Sequence, residues 1–447
     1  MRPIYKLIYR GYHGSSSFYH WLRRRFTLAG LCVVGGALVS GSVGGDIDNT
    51  VTYQVFALLL AMLVLALGTS RFFHAKFSAS RQLPRFGTVG QRLCYRLQVK
   101  NLTVRPQMGL VVLENSADPR PTFEEWLAFQ LAENKRVPPF RLSDRRPNPF
   151  RIAEIKEAEV PPLAPRGEAE VRVDMLPLRR GIVRFSGITL ARTDPFGLIR
   201  SFVKTPAVNS ILILPKRYDL PAVPLPGIMK YQENGVALAA NIGRSEEFVS
   251  LREYRRGDPV RHIHWRSWAK AGKPIVKEFE DEFFVRHALV LDTFTTEPYG
   301  EILEEAVSIA ASFACALITQ ESLLDLLFVG SQTYCFTAGR GLAHTGQMLE
   351  ILASVQACPD KPFSVLESLV LNHVSVVSGV ICVLQSWDEA RRNFVQKLRA
   401  LNLPVVVLIV VYPRDKIPDP GPMRDSPENF HVLKIGKIQE DLMTLVT

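Results

Sequence analysis

A chain of 447 residues with 47% hydrophobic content is too long for one compact domain and too apolar to be intrinsically disordered. Its 54 Lys and Arg against 43 Asp and Glu give a formal charge of +11, but much of the excess flanks apolar stretches, which argues for a membrane surface ahead of nucleic acid. The six cysteines, at positions 32, 94, 315, 335, 358 and 382, show no Cys-x-x-Cys pair, no metal-ligand spacing with His and no short disulfide framework, so they read as reduced core thiols of a largely cytoplasmic protein.

Residues 1–25 form a basic N-terminus with six Lys or Arg and no acid. No Lys or Arg follows from Phe26 to Thr69, and two apolar stretches, Phe26–Gly45 and Val51–Thr69, are each close to the ~20 residues that cross a bilayer as a helix. Residues 26–70 are therefore expected to be a transmembrane hairpin, and LLLAMLVLAL from Leu58 to Leu67 has no polar face that would suit a soluble core helix. Residues 71–100 carry seven Lys or Arg and no acid, whereas the hairpin tip carries Asp46 and Asp48. This asymmetry predicts a two-pass inner-membrane protein with both termini in the cytoplasm. Gly41-x-x-x-Gly45 and Ser40-x-x-x-Gly44 would let the two spans approach closely.

Residues 71–226 change character, with alternating runs at Leu93–Val99, Met108–Leu113, Ala169–Met175, Gly181–Leu190 and Ser210–Leu214 that predict strands of a β-sandwich-like, membrane-proximal module. Arg120–Arg151 reads as a polar insertion whose prolines exclude regular structure from its later part. Asp194-Pro195 and Gly197 are turn formers, and Pro215–Pro226, with four prolines, reads as a linker.

Residues 227–285 contain the densest chemistry: between Arg252 and Lys277 there are eight Arg or Lys, two acids and three aromatics. Asp258-Pro259 is a strong helix start and Gly272 a helix stop, so Val260–Ala271 is expected to be helical between extended segments Glu247–Tyr254 and Ile275–Phe279. On such a helix Arg261, Trp265 and Trp268 share a face suited to stacking, cation–π contact or holding a carboxylate. Internal pairing of the arginines with Glu278, Glu280, Asp281 and Glu282 would account for the pattern equally well. His262 and His264, two apart on a helix, would point about 200° apart and could not share one metal ion, whereas on an extended segment they could.

From residue 286 to 447 strand and helix alternate: strand His287–Leu291, helix Glu301–Gln320, strand Leu323–Gly330, helix Gly341–Val355, strand Ser378–Leu384, helix Ala390–Leu401 and strand Pro404–Val411. Continuous apolar strands between amphipathic helices predict a doubly wound, parallel α/β domain.

The order Glu247-Phe248, Arg252-Glu253-Tyr254, Gly257-Asp258, Arg261-x-Ile263-x-Trp265 and Ala269-Lys270 resembles the signature of the family called domain of unknown function 58. Arg180-Gly181 and Thr193–Gly197 resemble that family as well. The resemblance implies a membrane-anchored α+β chain whose doubly wound domain is von Willebrand factor A-like. It marks Glu247, Arg252, Glu253, Tyr254, Gly257, Asp258, Arg261, Trp265 and Lys270 as the signature and partner-binding positions. It also implies work alongside a MoxR-type AAA+ ATPase and membrane-bound transglutaminase-like proteins. Von Willebrand A domains hold magnesium on Asp-x-Ser-x-Ser after their first strand; here the matching positions are Asp292, Phe294 and Thr296, so the motif lacks one oxygen ligand. Mg2+ is thus the one cofactor implied, with Thr293, Thr295 and Asp388 as further oxygen donors nearby in the pattern.

No Gly-x-Ser-x-Gly, Walker loop or paired catalytic carboxylates are present, so a non-enzymatic interaction protein is expected. A membrane-tethered enzyme of the cell envelope, using Asp258 and the histidines, and a binder of nucleic acid or anionic lipid are the competing readings of the same residues.

Overall fold

The structure is a computed structural model that describes residues 2–43, 50–73, 75–117, 120–136, 150–221, 248–256, 260, 263–279, 286–297, 300–318, 323–338 and 342–446. These divide into two compact units, one of Met1–Arg217 with Thr295–Glu304 and Leu349–Pro359, the other of Tyr218–Phe294, Glu305–Met348 and Asp360–Thr447.

The first unit opens with three helices, α1 (Arg2–Arg25), α2 (Leu28–Val43) and α3 (Thr50–Arg71). Among the described residues α3 is the one helix long and apolar enough to cross a membrane; α2, at 16 residues, reaches about 24 Å of the ~30 Å hydrocarbon thickness. The helices approach closely where α2 has no side chain: a Cβ on Gly36 would lie 3.3 Å from Leu59, and one on Gly41 3.1 Å from the Phe56 ring. Gly44 and Gly45, the other small positions of the expected contact, lie outside the described residues.

Nine strands follow: β1 (Phe77–Gln82), β2 (Phe86–Thr88), β3 (Leu93–Asn101), β4 (Leu110–Ser116), then helix α4 (Phe123–Arg136), β5 (Ala153–Ile155), β6 (Ala158–Val160), β7 (Glu168–Pro177), β8 (Gly181–Thr193) and β9 (Arg200–Leu214). They form a sheet ordered β1-β3-β7-β5 and a second ordered β2-β9-β8-β4-β6. Alternation drives the burial: on β3 Tyr95, Leu97 and Val99 are buried while their neighbours are exposed, and they join Val171, Val173, Phe185, Ile188 and Ile211 in one core. Each predicted run overlaps one of these strands, with β4 beginning two residues later than the run at Met108 and β9 ten residues earlier than its apolar run at Ser210. The first half of the polar insertion is helix α4, and residues 137–149 lie outside the described residues.

An ion pair sits inside this core. Arg81 Nε and Nη2 donate to Glu114 at 3.0 and 2.6 Å, Arg81 Nη1 donates to the Ala207 carbonyl and to Asn209, and its guanidinium lies 4.2 Å over the Phe185 ring. Tyr95 donates its hydroxyl to Glu114 at 2.8 Å, and burial together with that carboxylate pushes the phenol well above its ordinary pKa. Each guanidinium nitrogen of Arg81 thus has a protein acceptor, which favours the burial of two charges.

Asp194, in the predicted turn, is buried and accepts from the backbone N–H groups of Phe196, Leu198 and Ile199. The turn it holds receives the start of α2: the Thr27 N–H and hydroxyl donate to the Leu198 and Gly197 carbonyls, and a Cβ on Gly30 would lie 2.1 Å from the Leu198 oxygen, which only glycine avoids. Ala66 of α3 packs against Leu198 and Ile199 there. Arg180, in the other family-like phrase, is buried, pairs with Glu304 and donates to the carbonyls of Leu352 and Val355, all within the first unit.

The second unit carries a two-stranded antiparallel ribbon, β10 (Phe248–Glu253) and β11 (Ile275–Phe279), around the short helix α5 (Trp265–Ala271). It then alternates β12 (Arg286–Leu291), α6 (Glu301–Ile318), β13 (Leu323–Val329), β14 (Thr333–Ala338), α7 (Leu342–Ser354), α8 (Ser364–Leu371), β15 (Gly379–Leu384), α9 (Glu389–Ala400), β16 (Val405–Val411), β17 (Phe430–Lys434) and α10 (Ile438–Met443), with α6 and α7 each shared between the two units. The sheet order is β14-β13-β12-β15-β16-β17, parallel except for the edge strand β14, which pairs antiparallel to β13. In sheet numbering this is 3-2-1-4-5-6, a doubly wound order whose direction reverses between β12 and β15. Every residue of β15 and β16 is buried, the burial expected of strands covered on both faces. Periodicity located seven of these elements; β14, α8, β17 and α10 are additions.

Removing one side of the Arg81–Glu114 pair leaves the other charge buried and unpaired. Glu114→Ala is expected to lower the stability of the detergent-solubilised chain by about 3–5 kcal/mol, and Arg81→Met/Glu114→Leu to recover most of it. Urea melts followed by tryptophan fluorescence test this; a single variant as mild as the double would show that the pair is not desolvated.

Candidate functional site

In open α/β sheets ligands bind beyond the carboxyl ends of the strands, where the winding direction reverses. Here that point is occupied by Asp292, which follows β12 and is fully buried, and by Gln385, which follows β15. The strands deliver them side by side: Asp292 N–H donates to the Val383 carbonyl at 3.0 Å, and the Gln385 side-chain amide donates to the Asp292 carbonyl at 2.7 Å.

Both Asp292 carboxylate oxygens are engaged. Oδ1 accepts from the Phe294 N–H at 3.0 Å, and Oδ2 accepts from the Gln385 N–H at 3.1 Å and from Arg391 Nε at 2.7 Å. Arg391 reaches inward from α9, where Asp388 is the N-cap: Asp388 Oδ1 accepts from the Arg391 N–H at 3.0 Å and Oδ2 pairs with Nη1 at 2.5 Å. The guanidinium also lies 4.8 Å over the Phe363 ring, which stands edge-on to Phe294 and Phe394. Burial pulls the Arg391 pKa down, but Asp292 and Asp388 outweigh it and hold the group above its ordinary value.

This geometry bears on the expected magnesium position. Arg391 Nε occupies the acceptor face of Asp292 that a divalent ion needs, and Phe294 supplies no oxygen. The Thr293 hydroxyl is buried and donates to the Val329 carbonyl, and Thr296 is exposed. Among the described residues no group of three or more His, Cys, Asp or Glu is placed to hold a metal. The residues present fit a fixed organic cation, and a metal would have to displace it. Arg391 and Gln385 were not singled out by sequence; the available signal was an Arg three residues after an Asp at a strand-to-helix turn.

The signature segment builds a separate surface. Glu253 pairs in register with Ile275, Tyr254 N–H donates to the Pro274 carbonyl, and Ile263 bridges Val276, so buried Val276 is held from two sides. The predicted extended segments match β10 and β11. The α-helix begins at Trp265, where Val260 was expected: Val260 lies in a 3-10 turn whose carbonyl accepts from the Ile263 N–H, residues 261 and 262 lie outside the described residues, and Ile263 and His264 are drawn onto β11, with His264 N–H donating to the Ile275 carbonyl. Gly272 ends it in the left-handed conformation at φ 68°, as its position predicted. His264 therefore precedes the helix, and its Nδ1 lies 2.7 Å from the Ser267 hydroxyl.

Trp265 and Trp268 stack at 5.2 Å between centroids, with planes 18° apart, and Trp265 is 62% exposed. Exposed Arg255, Arg256, Arg266, Lys270 and Lys273 belong to the same segment, Lys273 pairing with Glu253 at 3.2 Å. Arg252 is half-buried and donates to the Glu253 carbonyl. Glu247, Gly257, Asp258, Arg261, His262 and Glu280 to Glu282 lie outside the described residues, as does the side chain of Glu278, so the expected pairing of arginines with that acidic run does too.

A double-mutant cycle tests whether the switch-point pair is one unit. Arg391→Met alone is expected to cost about 3–5 kcal/mol of stability by stranding Asp292. With Asp292→Asn it should show coupling of about 2 kcal/mol; additive effects in thermal melts would contradict the pairing.

Comparison with known proteins agrees with the signature. A curated relative, the uncharacterized protein YeaD of Bacillus subtilis (strain 168), is 24% identical over 189 residues, covering 41% of this chain and 45% of that protein, so the match spans less than half the relative's length. Among solved structures, a CARDB domain from Pyrococcus furiosus aligns at 12% identity over 31% of this chain and 94% of its own, with a TM-score of 0.16. A PapD-like domain of human CEP192 aligns at 11% identity over 31% and 86%, with a TM-score of 0.17; scores this low carry no argument. Residues 250–442, the stretch that holds the ribbon, the tryptophan pair and the switch point, match the family described as protein of unknown function DUF58.

Proposed function

We propose that this chain is a non-enzymatic, two-pass inner-membrane protein whose von Willebrand A-like domain recruits a protein partner, working with a MoxR-type AAA+ ATPase as the family resemblance implies. The observation that carries the proposal is the stacked Trp265–Trp268 pair, displayed on the shortened helix with exposed arginines and lysines around it. Exposed tryptophan beside arginine is the composition enriched at binding hot spots, and the cations suit an acidic rim on the partner.

The 3-2-1-4-5-6 sheet order supports the von Willebrand A-like reading, and the length and apolarity of α3 support membrane anchoring. The charge asymmetry about the hairpin supports cytoplasmic termini. The switch point supports a binding role without a divalent ion, because its acid is already neutralised by Arg391.

Affinity capture of the full-length chain from detergent-solubilised membranes tests the proposal. The wild type is expected to retain an AAA+ ATPase, and Trp265→Ala/Trp268→Ala to reduce recovery by tenfold or more, about 1.4 kcal/mol of hot-spot energy. Recovery of membrane background alone, or equal recovery by both chains, would sink it.

A further inference from the structure

Helix α1 is amphipathic in the wrong sense for a helix packed on a protein. Tyr5, Tyr9, Tyr12 and Ser16, spaced i, i+4, i+7 and i+11, are half-buried on the face turned to the module. Tyr9 donates its hydroxyl to the Pro121 carbonyl at 2.8 Å and meets Phe123 and Trp126 of α4 at 5.5 and 5.6 Å, and Tyr12 stacks on Trp126. The apolar stripe points the other way. Ile4, Leu7, Ile8 and Phe18 recur at helical spacing and are 51–72% exposed, with Trp21 at 54%. Trp21 stands between Phe18 and Phe26 at 6.1 and 6.0 Å, which extends the stripe toward the start of α2 at Leu28.

Charge accompanies the stripe. Arg2, Lys6, Arg10, Arg23, Arg24 and Arg25 are the helix's ionised residues, and it has no acid. An exposed apolar stripe of Trp, Phe, Leu and Ile on a helix whose charges are all basic, close before an apolar helix, is the pattern of a helix lying in a headgroup layer.

We infer that α1 is an interfacial helix: it lies along an anionic bilayer surface with Ile4, Leu7, Ile8, Phe18 and Trp21 among the lipids, while its tyrosine face holds α4. The inference rests on the membrane anchoring proposed above, and it adds a second, lateral contact with the bilayer that the anchor alone does not require. Of the arginines at the end of α1, Arg24 donates to Asn115 and Arg25 lies over the Phe202 ring, so exposed Arg23 is the one that meets phosphate groups at the depth where α2 begins.

The full-length chain is reconstituted in phosphatidylcholine–phosphatidylglycerol vesicles whose acyl chains carry bromine close to the headgroup. The Trp21 signal is the difference in emission between the wild type and Trp21→Phe. Flotation of the chain with the vesicles and strong quenching of that signal, lost in Leu7→Glu/Phe18→Glu, are expected. Flotation with an unquenched Trp21, or quenching that survives the double glutamate variant, overturns the interfacial helix and leaves the anchor standing. A Trp21 signal that changes with protein density instead of bromine assigns the stripe to a second copy and overturns it as well. Equal quenching in phosphatidylcholine alone overturns the requirement for anionic lipid, and failure to float condemns the anchor itself.

Discussion

A carboxylate removed from water has to be met by donors from the chain, and at Asp292 this requirement organises the face of the second unit where open sheets receive ligands. Two backbone N–H groups and one guanidinium satisfy its two oxygens. Each donor is an element boundary: Phe294 leaves β12, Gln385 leaves β15, and Arg391 sits in the first turn of α9. Asp388, which caps α9, grips the same guanidinium, so the start of that helix and the ends of two central strands are fixed by one network. The Phe363 ring lies against the guanidinium and Asp292 and Arg391 are buried, which strengthens the bond between them, while Asp388 meets solvent at the rim. With that position filled from within, exposed Trp265, stacked on half-buried Trp268, is a prominent feature of the signature segment.

The first unit meets the same physical demand in two other places. Arg81 and Glu114 lie in a sandwich core in which each guanidinium nitrogen has a protein acceptor, so two buried charges are met by the chain. Asp194 uses its carboxylate to gather three N–H groups of a tight turn, and that turn presents the carbonyls that receive Thr27 at the head of α2. An apolar helix and a sandwich are thereby joined by backbone polarity at a point where Gly30 permits contact that any side chain would block.

Much of this was legible in the sequence, for reasons that also explain the gaps. Burial on both faces gives continuous apolar strands, and burial on one face gives alternation, so β12, β15, β16, β3 and β8 announced themselves. Edge and short strands such as β2, β5, β14 and β17 bury too little to leave a pattern. The signature α-helix was placed too early because Asp258-Pro259 and Gly272 bracket a longer run, while Ile263 and His264 pair with the ribbon at Val276 and Ile275. The acid at Asp292 was visible as half of a metal motif, but its partner Arg391 lies ninety-nine positions away and only tertiary structure brings them to 2.7 Å. The reversed amphipathicity of α1 was masked by its charge, which reads simply as a basic terminus until the tyrosine face is seen to be the one that packs.

What emerges is an apolar helix long enough to cross a membrane with a basic helix beside it, a charged-core sandwich, and an α/β unit that displays aromatic and basic groups while its sheet-end acid is held shut. The claim that Arg391 holds it shut is tested most directly by titrating the detergent-solubilised full-length chain with Mn2+ and following free ion by electron paramagnetic resonance. No Asp292-dependent binding is predicted, with wild type and Asp292→Ala giving the same curve; one tightly bound Mn2+ per chain, lost in Asp292→Ala, would contradict the account.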